Sequence, residues 1–338
     1  MTPNAAQAKP TFFTRLKKTY RDVRNSKLTF QIFIFIMLLA GTVITIFPFF
    51  WMVMTSFMTP EEVTQFPPPF PSRVSLFPPS IPLDNYIEAW QSAPFGMYFF
   101  NSFFVGIIST LGILFTSALA AFAFARLNFW GKGLFFYLVL GTMMIPGQVL
   151  LIPNYILLQR FESLNIIYEK LFLVLTGSNE FFFEYFMDTR LWNFIKFGLD
   201  SYFALIVPWL ANVFTIFLMR QFFKTIPIDL FDAAYIDGAS KLRTLFQIVV
   251  PLSKPVFITS ALLSFLAQWN SLLWPLIVTT SDYMRTLMVG LQTFNMEAGQ
   301  EFERLMAATT LSILPILILF FFLQRYFVQG IVRSGLKS

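Results

Sequence analysis

Six long apolar runs dominate the sequence and limit what the chain can fold into. Apart from Arg325 near the end of the last run, none of them carries Asp, Glu, Lys or Arg, and charged residues make up only 12% of the chain, against about 25% in soluble domains. A run of about 20 apolar residues can cross the hydrocarbon core of a bilayer as a helix. The runs lie near residues 30–54, 97–125, 134–158, 202–219, 256–278 and 306–328. The sequence therefore predicts an all-α membrane protein with six transmembrane helices.

Prolines interrupt five of these runs, which bears on whether each run forms one helix. Proline lacks a backbone N–H, but transmembrane helices tolerate it where neighbouring helices satisfy the freed carbonyl. We therefore expect each run to form one span. The prolines are Pro48, Pro146, Pro153, Pro208, Pro275 and Pro315.

The basic residues are distributed unevenly between the two sides of the predicted membrane. With the N-terminus inside the cell, 17 of the 24 Lys and Arg residues fall in cytoplasmic segments and 7 fall outside. Because cytoplasmic loops are enriched in Lys and Arg, we expect both termini in the cytoplasm. Membrane orientation also explains the positive net charge, so we expect no nucleic-acid partner. The expected parts are a basic tail (1–29), a membrane domain (30–328) and a C-terminal tail (329–338). Residues 11–24 fit either a basic interfacial helix or a solvated tail.

Two of the external segments have unusual composition. Residues 55–96 contain PPPFP and FPPSIP, which favour extended backbone over helix. Residues 159–201 are aromatic, but the part from 180 to 200 carries six charged side chains, too many for a span. We expect an external, amphipathic segment at the membrane surface there, with a seventh span as the alternative.

Several kinds of catalytic chemistry are excluded by the residues that the chain lacks. It contains no cysteine and no histidine, so it has no disulfide, no thiolate metal site and no nucleophile paired with histidine. No GxxxxGK[ST] loop is present, so ATP cannot bind by that route. No paired carboxylates stand beside the runs. We expect no catalytic residue, no metal and no cofactor, and conclude that the chain is not an enzyme.

The stretch DLFDAAYIDGASKLRTLFQIVVPLSKP (229–255) is polar and lies between the fourth and fifth runs. Helical spacing gives its first part a face of small residues at Ala233 and Ala234. Gly238 supplies a stop, because glycine adopts a left-handed conformation at little cost. A second helix is expected over about 240–250, ended by prolines. The stretch therefore predicts a compact cytoplasmic helix pair.

The same stretch carries a specific resemblance to a known family. The order Asp232-Ala233-Ala234-x-x-Asp237-Gly238-Ala239, then Ile248-x-x-Pro251 and Pro255, resembles the EAA loop of permease subunits of bacterial ABC importers, with Asp232 in place of the family's Glu. Other fragments are similar to carbohydrate-importer permeases of the maltose and glycerol-phosphate type; they include FPFFWMVMTSF, NYIEAW, AAFAFARLNFWGKG, MMIPGQVLLIPNYILL and WNSLLWPLIV. The likeness covers most of 45–335, and the stretch around 171–200 resembles an insertion.

This resemblance implies an ABC importer type I permease fold and a subunit that moves a sugar, a mono- to oligosaccharide, across the bacterial inner membrane. The lack of a basic residue in the interior of the spans favours a neutral one. It also implies the partners: a second permease in a heterodimer, two ATP-binding subunits and a solute-binding protein. The external segment 280–305 would face that protein, although a plain solvated loop is the alternative. The loop 225–255 would dock on an ATPase through Asp232, Ala233, Ala234, Asp237, Gly238, Ala239, Ile248 and Pro251.

A path for sugar needs amide and hydroxyl groups beside aromatic surfaces within the bundle. Amides inside a membrane are costly without partners, so each one marks either a cavity or a contact between helices, and the sequence leaves both open. The candidates are Asn101, Ser102, Gln148, Asn154, Tyr155, Asn212, Gln268, Trp269, Asn270 and Trp274.

Two alternative functions stay open at this point. A glycerol-phosphate-like solute would be expected to need a basic residue in its path, and the interiors of the runs lack one. A secondary carrier usually keeps carboxylates or histidines inside the membrane, which these runs also lack. Both absences favour the ATP-driven sugar importer.

Overall fold

The computed structural model describes residues 12–67, 69–76, 79–176, 196–297 and 301–335, and this part of the chain is almost wholly helical. A two-residue antiparallel pair joins β1 (Ser75–Leu76) to β2 (Pro79–Ser80), with Ser75 opposite Ser80. The helices are α1 (Phe12–Thr55), α2 (Pro60–Thr64), α3 (Asp84–Ser92), α4 (Phe95–Arg126), α5 (Lys132–Gly141), α6 (Leu151–Thr176), α7 (Tyr202–Ile206), α8 (Val213–Thr225), α9 (Asp229–Ile236), α10 (Lys241–Leu252), α11 (Lys254–Trp269), α12 (Leu273–Val278), α13 (Leu287–Glu297) and α14 (Phe302–Gly335).

Three helices are long and apolar enough to cross a membrane without a break. They are Phe30–Thr55 within α1, Phe95–Arg126 (α4) and Phe302–Phe322 within α14. Three bent pairs bring the number to as many as six when each pair is counted as one span; they are Lys132–Met144 with Gly147–Glu162, Tyr202–Trp209 with Val213–Thr225, and Lys241–Leu252 with Lys254–Trp269. This count is compatible with the six predicted spans.

The third, fourth and fifth runs are not continuous helices, although each was expected to form one span. The third bends by 93° after Met144, where Pro146 cannot donate a backbone hydrogen bond. The fourth bends by 47° before α8, whose first turn is capped by the Asn212 side chain. The fifth run does not continue to residue 278: α11 ends at Trp269 and α12 starts at Leu273. Packing against neighbouring helices therefore does not keep these three runs as unbroken helices.

The segment 55–96 is less extended than its prolines predicted. The α2 helix begins with a capping box, in which the Thr59 hydroxyl accepts from Glu62 N and the Glu62 carboxylate accepts from Thr59 N at 2.9 Å. The α3 helix is fixed to the end of α1 by Asn85, whose Nδ2 donates to the carbonyls of Ser56 and Met58, each at 2.9 Å. Local capping and one buried amide therefore produce helix where composition favoured extended chain.

Two further expectations concern the segments 11–24 and 159–201. The basic segment 11–24 falls largely within α1, which runs from Phe12 into the first span without interruption, as the helical alternative predicted. The segment 159–201 begins as a continuation of α6 to Thr176. Residues 177–195, which hold most of the proposed insertion, lie outside the described residues.

The α4 helix forms the centre of the bundle and packs along α8 and α11. Its backbone approaches α11 closely, since a Cβ atom at Gly106 would stand 2.9 Å from the Phe265 ring. The apolar core has three clusters along α4: one around Trp269 and Phe95, one around Trp274 and the α7 helix, and one around Phe223. This rigid centre holds the ends of the broken helices in place.

Candidate functional site: a polar cavity and an exposed helix pair

A cavity of about 510 Å³ lies where three breaks in the helices meet. Its wall includes Gly147 at the break before α6, Asn212 at the start of α8, and residues 270–272 between α11 and α12. Non-helical backbone is tolerated at membrane depth only where it is covered by protein or lines a cavity. The three breaks are therefore the expected consequence of building a cavity at this position.

The lengths of α8 and α11 give the distance of the cavity from the helix pair α9–α10. From Asn212 to the far end of α8 there are 13 helical residues, and α11 has 16, so at 1.5 Å per residue the cavity is about 20–24 Å from the side that carries α9 and α10. The hydrocarbon core is about 30 Å thick. A solute in the cavity would be separated from water on the α9–α10 side by most of the membrane.

Five of the predicted path residues come together at this cavity. Gln148, Asn212, Gln268, Asn270 and Trp274 all line it. They come from four different elements, which their spacing in the sequence could not show. The structure thus groups half of the candidates at one place.

The other candidates lie elsewhere. Trp269 is buried in the core cluster that contains Phe95, and Tyr155 packs on the cluster that contains Trp274. Asn154 is half-buried on α6 and is not among the residues that line the cavity. Asn101 and Ser102 are buried and bind the chain just before α13.

Asn101 has all of its polar groups occupied by protein. Its Nδ2 donates to the carbonyls of Tyr283 at 2.7 Å and Arg285 at 2.9 Å, and its Oδ1 accepts from the Tyr202 hydroxyl at 2.7 Å. The neighbouring Ser102 hydroxyl accepts from Leu287 N at 2.7 Å. For these two residues the structure shows packing between segments, the alternative that the sequence left open.

The groups at the cavity differ in how free they are to bind a solute. Asn212 Oδ1 accepts from Thr215 N at 2.8 Å, Asn270 Nδ2 donates to Leu266 O at 2.9 Å, and Trp274 Nε1 donates to Ala204 O at 2.9 Å. The side chains of Gln148 and Gln268 have no hydrogen-bond partner within the described part of the chain. Two glutamine amides therefore offer both donors and acceptors to a ligand.

The lining of the cavity is uncharged. It consists of amides, serine hydroxyls, two indole rings and aliphatic side chains, with no ionisable residue among the described residues that form it. Such a lining provides hydrogen bonds and flat apolar surfaces without an ion-pair partner. Its chemistry suits a neutral, hydroxyl-rich solute better than an anion.

The second feature is the helix pair α9–α10, whose turn has the geometry that the sequence predicted. Gly238 has φ +72°, Gly238 N donates to Tyr235 O at 3.0 Å, and Ala239 N donates to Ala234 O at 2.9 Å. These two bonds form a Schellman motif, which satisfies the last carbonyls of α9. The Ser240 hydroxyl then caps α10 by accepting from the backbone N–H of Arg243.

The second helix of the pair differs from the prediction in detail. It begins at Lys241 and passes through a π-helical turn at Leu245–Val249. Pro251 lies inside its last turn rather than ending it, and the chain bends at Ser253 instead. Pro251 has no N–H to donate to the carbonyl four residues earlier, and the π-helical turn ends two residues before it.

The helix pair is anchored at one face and exposed at the other. Ala234 is buried, whereas Tyr235 and Ile236 are 84% and 83% exposed and Leu242 is 58% exposed. Large apolar side chains on an otherwise polar element indicate a surface that a partner covers. Of the eight predicted docking residues, Asp232, Ala233, Asp237, Gly238 and Pro251 are exposed, Ala239 and Ile248 are partly exposed, and Ala234 is buried.

Asp200 is a polar group that the sequence did not single out. Its Oδ1 accepts from Thr280 N at 2.9 Å and Ser281 N at 3.1 Å, its Oδ2 accepts from the Ser281 hydroxyl at 2.7 Å, and Lys196 Nζ is 3.7 Å away. Burial alone would raise the pKa of Asp200, but these bonds and Lys196 outweigh it and hold the pKa below the usual value. The carboxylate therefore ties the chain before α7 to the loop after α12.

Two arginines were also missed as functional candidates. Arg126 and Arg220 stand at the ends of apolar runs, and sequence analysis counted them only for orientation. A signal was available for Arg126, which is in the last turn of α4, because a cation there complements the partial negative charge of the helix end. What the sequence could not show is that each arginine binds the other's helix.

Comparison with known proteins identifies the family. Residues 112–333 match the family described as "Binding-protein-dependent transport system inner membrane component", and the chain belongs to it. The chain is thus a multi-pass inner-membrane permease component of an ABC transport system, as the resemblance in the sequence implied.

Individual relatives agree with this assignment. The chain is 31% identical to the probable ABC transporter permease protein YurM of Bacillus subtilis, over 91% of this chain and 87% of that protein. It is 30% identical to the sn-glycerol-3-phosphate transport system permease protein UgpE of Yersinia enterocolitica, over 90% of this chain and 96% of that one. It is also 30% identical to the arabinooligosaccharides transport system permease protein AraQ of Halalkalibacterium halodurans, over 87% and 92%.

A solved structure shows the same fold. It belongs to a bacterial ABC transporter involved in the import of the acidic polysaccharide alginate, with a TM-score of 0.62, covering 95% of this chain and 100% of that chain. The two sequences are 21% identical, so this likeness concerns the fold alone. It confirms the predicted ABC importer permease fold.

Proposed function

We propose that this permease subunit moves a neutral sugar, a mono- to oligosaccharide, across the cytoplasmic membrane. The observation that carries the proposal is the uncharged, amide-rich cavity at the junction of three broken helices. The AraQ relatives are named for arabinooligosaccharides, which supports a sugar. The UgpE relatives are named for sn-glycerol-3-phosphate, but a phosphate would leave its charge without a cation in this lining.

Energy for transport is supplied by a separate ATPase in this proposal. The chain has no nucleotide-binding loop, and its exposed helix pair α9–α10 provides a docking surface. Tyr235, Ile236 and Leu242 would enter a groove of the ATPase, and the docking residues predicted from the sequence surround them. Helix-in-groove contacts of this kind use apolar anchors on one helix face.

A second permease would complete the cavity. The break in the third run lies on the surface of this subunit, where the Met144 side chain is 85% exposed and the Val149 side chain is 60% exposed. Lipid cannot satisfy the polar backbone of such a break, and a second permease would cover the part of it that does not line the cavity. We therefore propose a pair of permeases, a heterodimer as the resemblance implies, with two ATP-binding subunits and a solute-binding protein.

The proposed orientation places the helix pair and both termini in the cytoplasm. The excess of Lys and Arg on that side supports it. The parts of the chain are then a basic tail (1–29), the six-span domain (30–328) and a C-terminal tail (329–338). The segment 280–305, which contains α13, would face the solute-binding protein on the opposite side of the membrane.

The first test is to purify the tagged protein with whatever accompanies it and to measure solute uptake in vesicles. We expect a P-loop ATPase and a second six-span protein in the preparation. Uptake of a neutral oligosaccharide, presented with its binding protein, should require ATP. Uptake that persists without ATP and collapses with the ion gradient would establish a secondary carrier instead.

The cavity is tested by removing its two free amides. Gln148→Leu and Gln268→Leu keep the size of the side chain and remove its hydrogen bonds, so we expect each to raise the concentration for half-maximal uptake by about 3- to 10-fold. Gln159→Leu is the matched control, since Gln159 is an exposed glutamine on α6 away from the cavity. Unchanged uptake in both cavity variants would remove this path from the proposal.

A further inference from the structure

The junction of α4 and α8 has a pattern of contacts that the transport path does not explain. The Thr116 hydroxyl donates to Leu210 O at 2.6 Å, Arg220 Nε donates to Phe124 O at 3.1 Å, and Arg126 reaches the carbonyls at the end of α8. The contacts advance together along both helices, so the helices run in the same direction and end side by side. Their unpaired last carbonyls, and the negative ends of their dipoles, are brought together.

Arg126 binds the end of α8 with several donors at once. Its Nε donates to Phe223 O at 3.1 Å, and its Nη2 donates to Phe223 O at 2.7 Å, to Lys224 O at 3.3 Å and also to Ile226 O. Arg126 itself is the last residue of α4. One side chain therefore joins the ends of two spans.

The same guanidinium also contacts the helix pair. Its Cζ lies 4.3 Å from the centre of the Phe231 ring on α9, a distance typical of a cation–π contact. Arg220 differs, because its guanidinium lies 3.7 Å above the Phe136 ring of α5. Of the two arginines at this junction, Arg126 is the one that contacts a ring of α9.

The contacts of Arg126 depend on its shape rather than on an opposite charge. Within the described residues it has no carboxylate partner, and its neighbours are carbonyl oxygens and an aromatic ring. A planar guanidinium can donate at its edge and stack on its face at the same time, whereas an ammonium group cannot. Lysine at this position would keep the charge and lose the three-way contact.

We propose that Arg126 is the positioning residue that holds α9 in register with the ends of both α4 and α8. A displacement of α9 is then passed to α4 as well as to α8, which the chain already joins to α9 through residues 226–228. This inference rests on the proposed function, in which an ATPase moves the helix pair.

The test compares Arg126→Lys with the wild-type protein in the assembled importer. We expect the amount of solute moved per ATP hydrolysed to fall about tenfold while ATP hydrolysis continues. Phe231→Leu should lower the same ratio. The double variant should lose little more than Arg126→Lys alone, because both changes remove the same contact between Arg126 and the Phe231 ring. Lys224→Gln is the matched control: it removes a charge from an exposed residue at the same edge and should leave the ratio unchanged.

Two outcomes would overturn the inference. One is a wild-type ratio in an assembled Arg126→Lys importer; if that variant does not assemble, an unchanged ratio in Phe231→Leu decides against it. The other uses no transport: spin labels at Asp229→Cys and Trp130→Cys, in a chain without native cysteine, should give a broader distance distribution with Arg126→Lys but not with Lys224→Gln. An unchanged distribution overturns the inference, whereas a wild-type importer without ATP-driven uptake would overturn only the proposed function.

Discussion

At the residue scale, Gly238 fixes the angle between α9 and α10. Its φ of +72° lies in the left-handed region, and a Cβ atom there would meet nothing within 4 Å. The whole cost of a larger residue is therefore in the backbone, about 1–2 kcal/mol for an ordinary side chain and more for a branched one. At this position a substitution therefore tests the backbone conformation alone, because a larger side chain would meet no steric clash.

Replacing this glycine should separate ATP hydrolysis from transport. We expect Gly238→Val to distort the turn of the helix pair, so that uptake per ATP falls while the spans stay folded. The measurement is the ratio of uptake to hydrolysis in vesicles. Gly238→Asn should recover much of the ratio, because asparagine tolerates the left-handed region. Gly133→Val, at an open position within helix α5, is the control; normal coupling in Gly238→Val would contradict the docking role of the turn.

At the element scale, Asp200 joins two segments at the end of the bundle away from the helix pair. Its φ is +50°, so the backbone is bent to aim the carboxylate at the loop after α12. Four hydrogen bonds or ion-pair contacts reach the two carboxylate oxygens. That loop is fixed a second time by Asn101, so two polar residues together hold the start of α13 against the bundle.

This junction should depend on pH in a defined direction. Because the folded state lowers the pKa of Asp200, the carboxylate contributes stability above its unfolded pKa, near 3.8, and loses that contribution as pH falls through the lower folded value. Asp200→Asn should therefore melt at a lower temperature than wild type at pH 7, and the difference should shrink below about pH 4. Melting of the purified protein at both pH values measures it; an equal difference at both would contradict the assignment.

The elements also show where sequence reasoning succeeded and where it could not. The turn at Gly238 is local, so its residue type predicted its geometry. The breaks in the fourth and fifth runs depend on the cavity between helices that are distant in the chain, and hydropathy alone could not reveal them. For the same reason, Asn101 and Gln148 looked alike in the sequence, although the structure buries one in a full set of hydrogen bonds and leaves the other free.

At the scale of the whole molecule, the bundle is incomplete on the side of the third run. Residues 142–150 are exposed throughout, and they include a helix break that lipid cannot satisfy. By contrast, Tyr137 is 73% exposed but belongs to a regular helix, whose backbone needs no outside partner. The break therefore requires polar partners from outside the subunit, whereas the helix around Tyr137 can face lipid.

This difference predicts the position of the second permease. A photoreactive p-benzoylphenylalanine in place of Met144 should cross-link to another six-span protein in native membranes, because protein must cover the break. The same group in place of Tyr137 should give mainly lipid adducts. Mass spectrometry of the products identifies the partner. Lipid adducts from both positions would show that the break is not an interface.

The three breaks lie at a similar depth, which has a mechanical consequence for the cavity. Each helix segment on the α9–α10 side can pivot at its own break, as a lever does at its fulcrum. The cavity lies between these pivot points. A lever moves least at its fulcrum and most at its far end. In the proposed importer, the helix ends near the ATPase would therefore move further than the cavity walls, so the residues that select the solute could change without altering that motion.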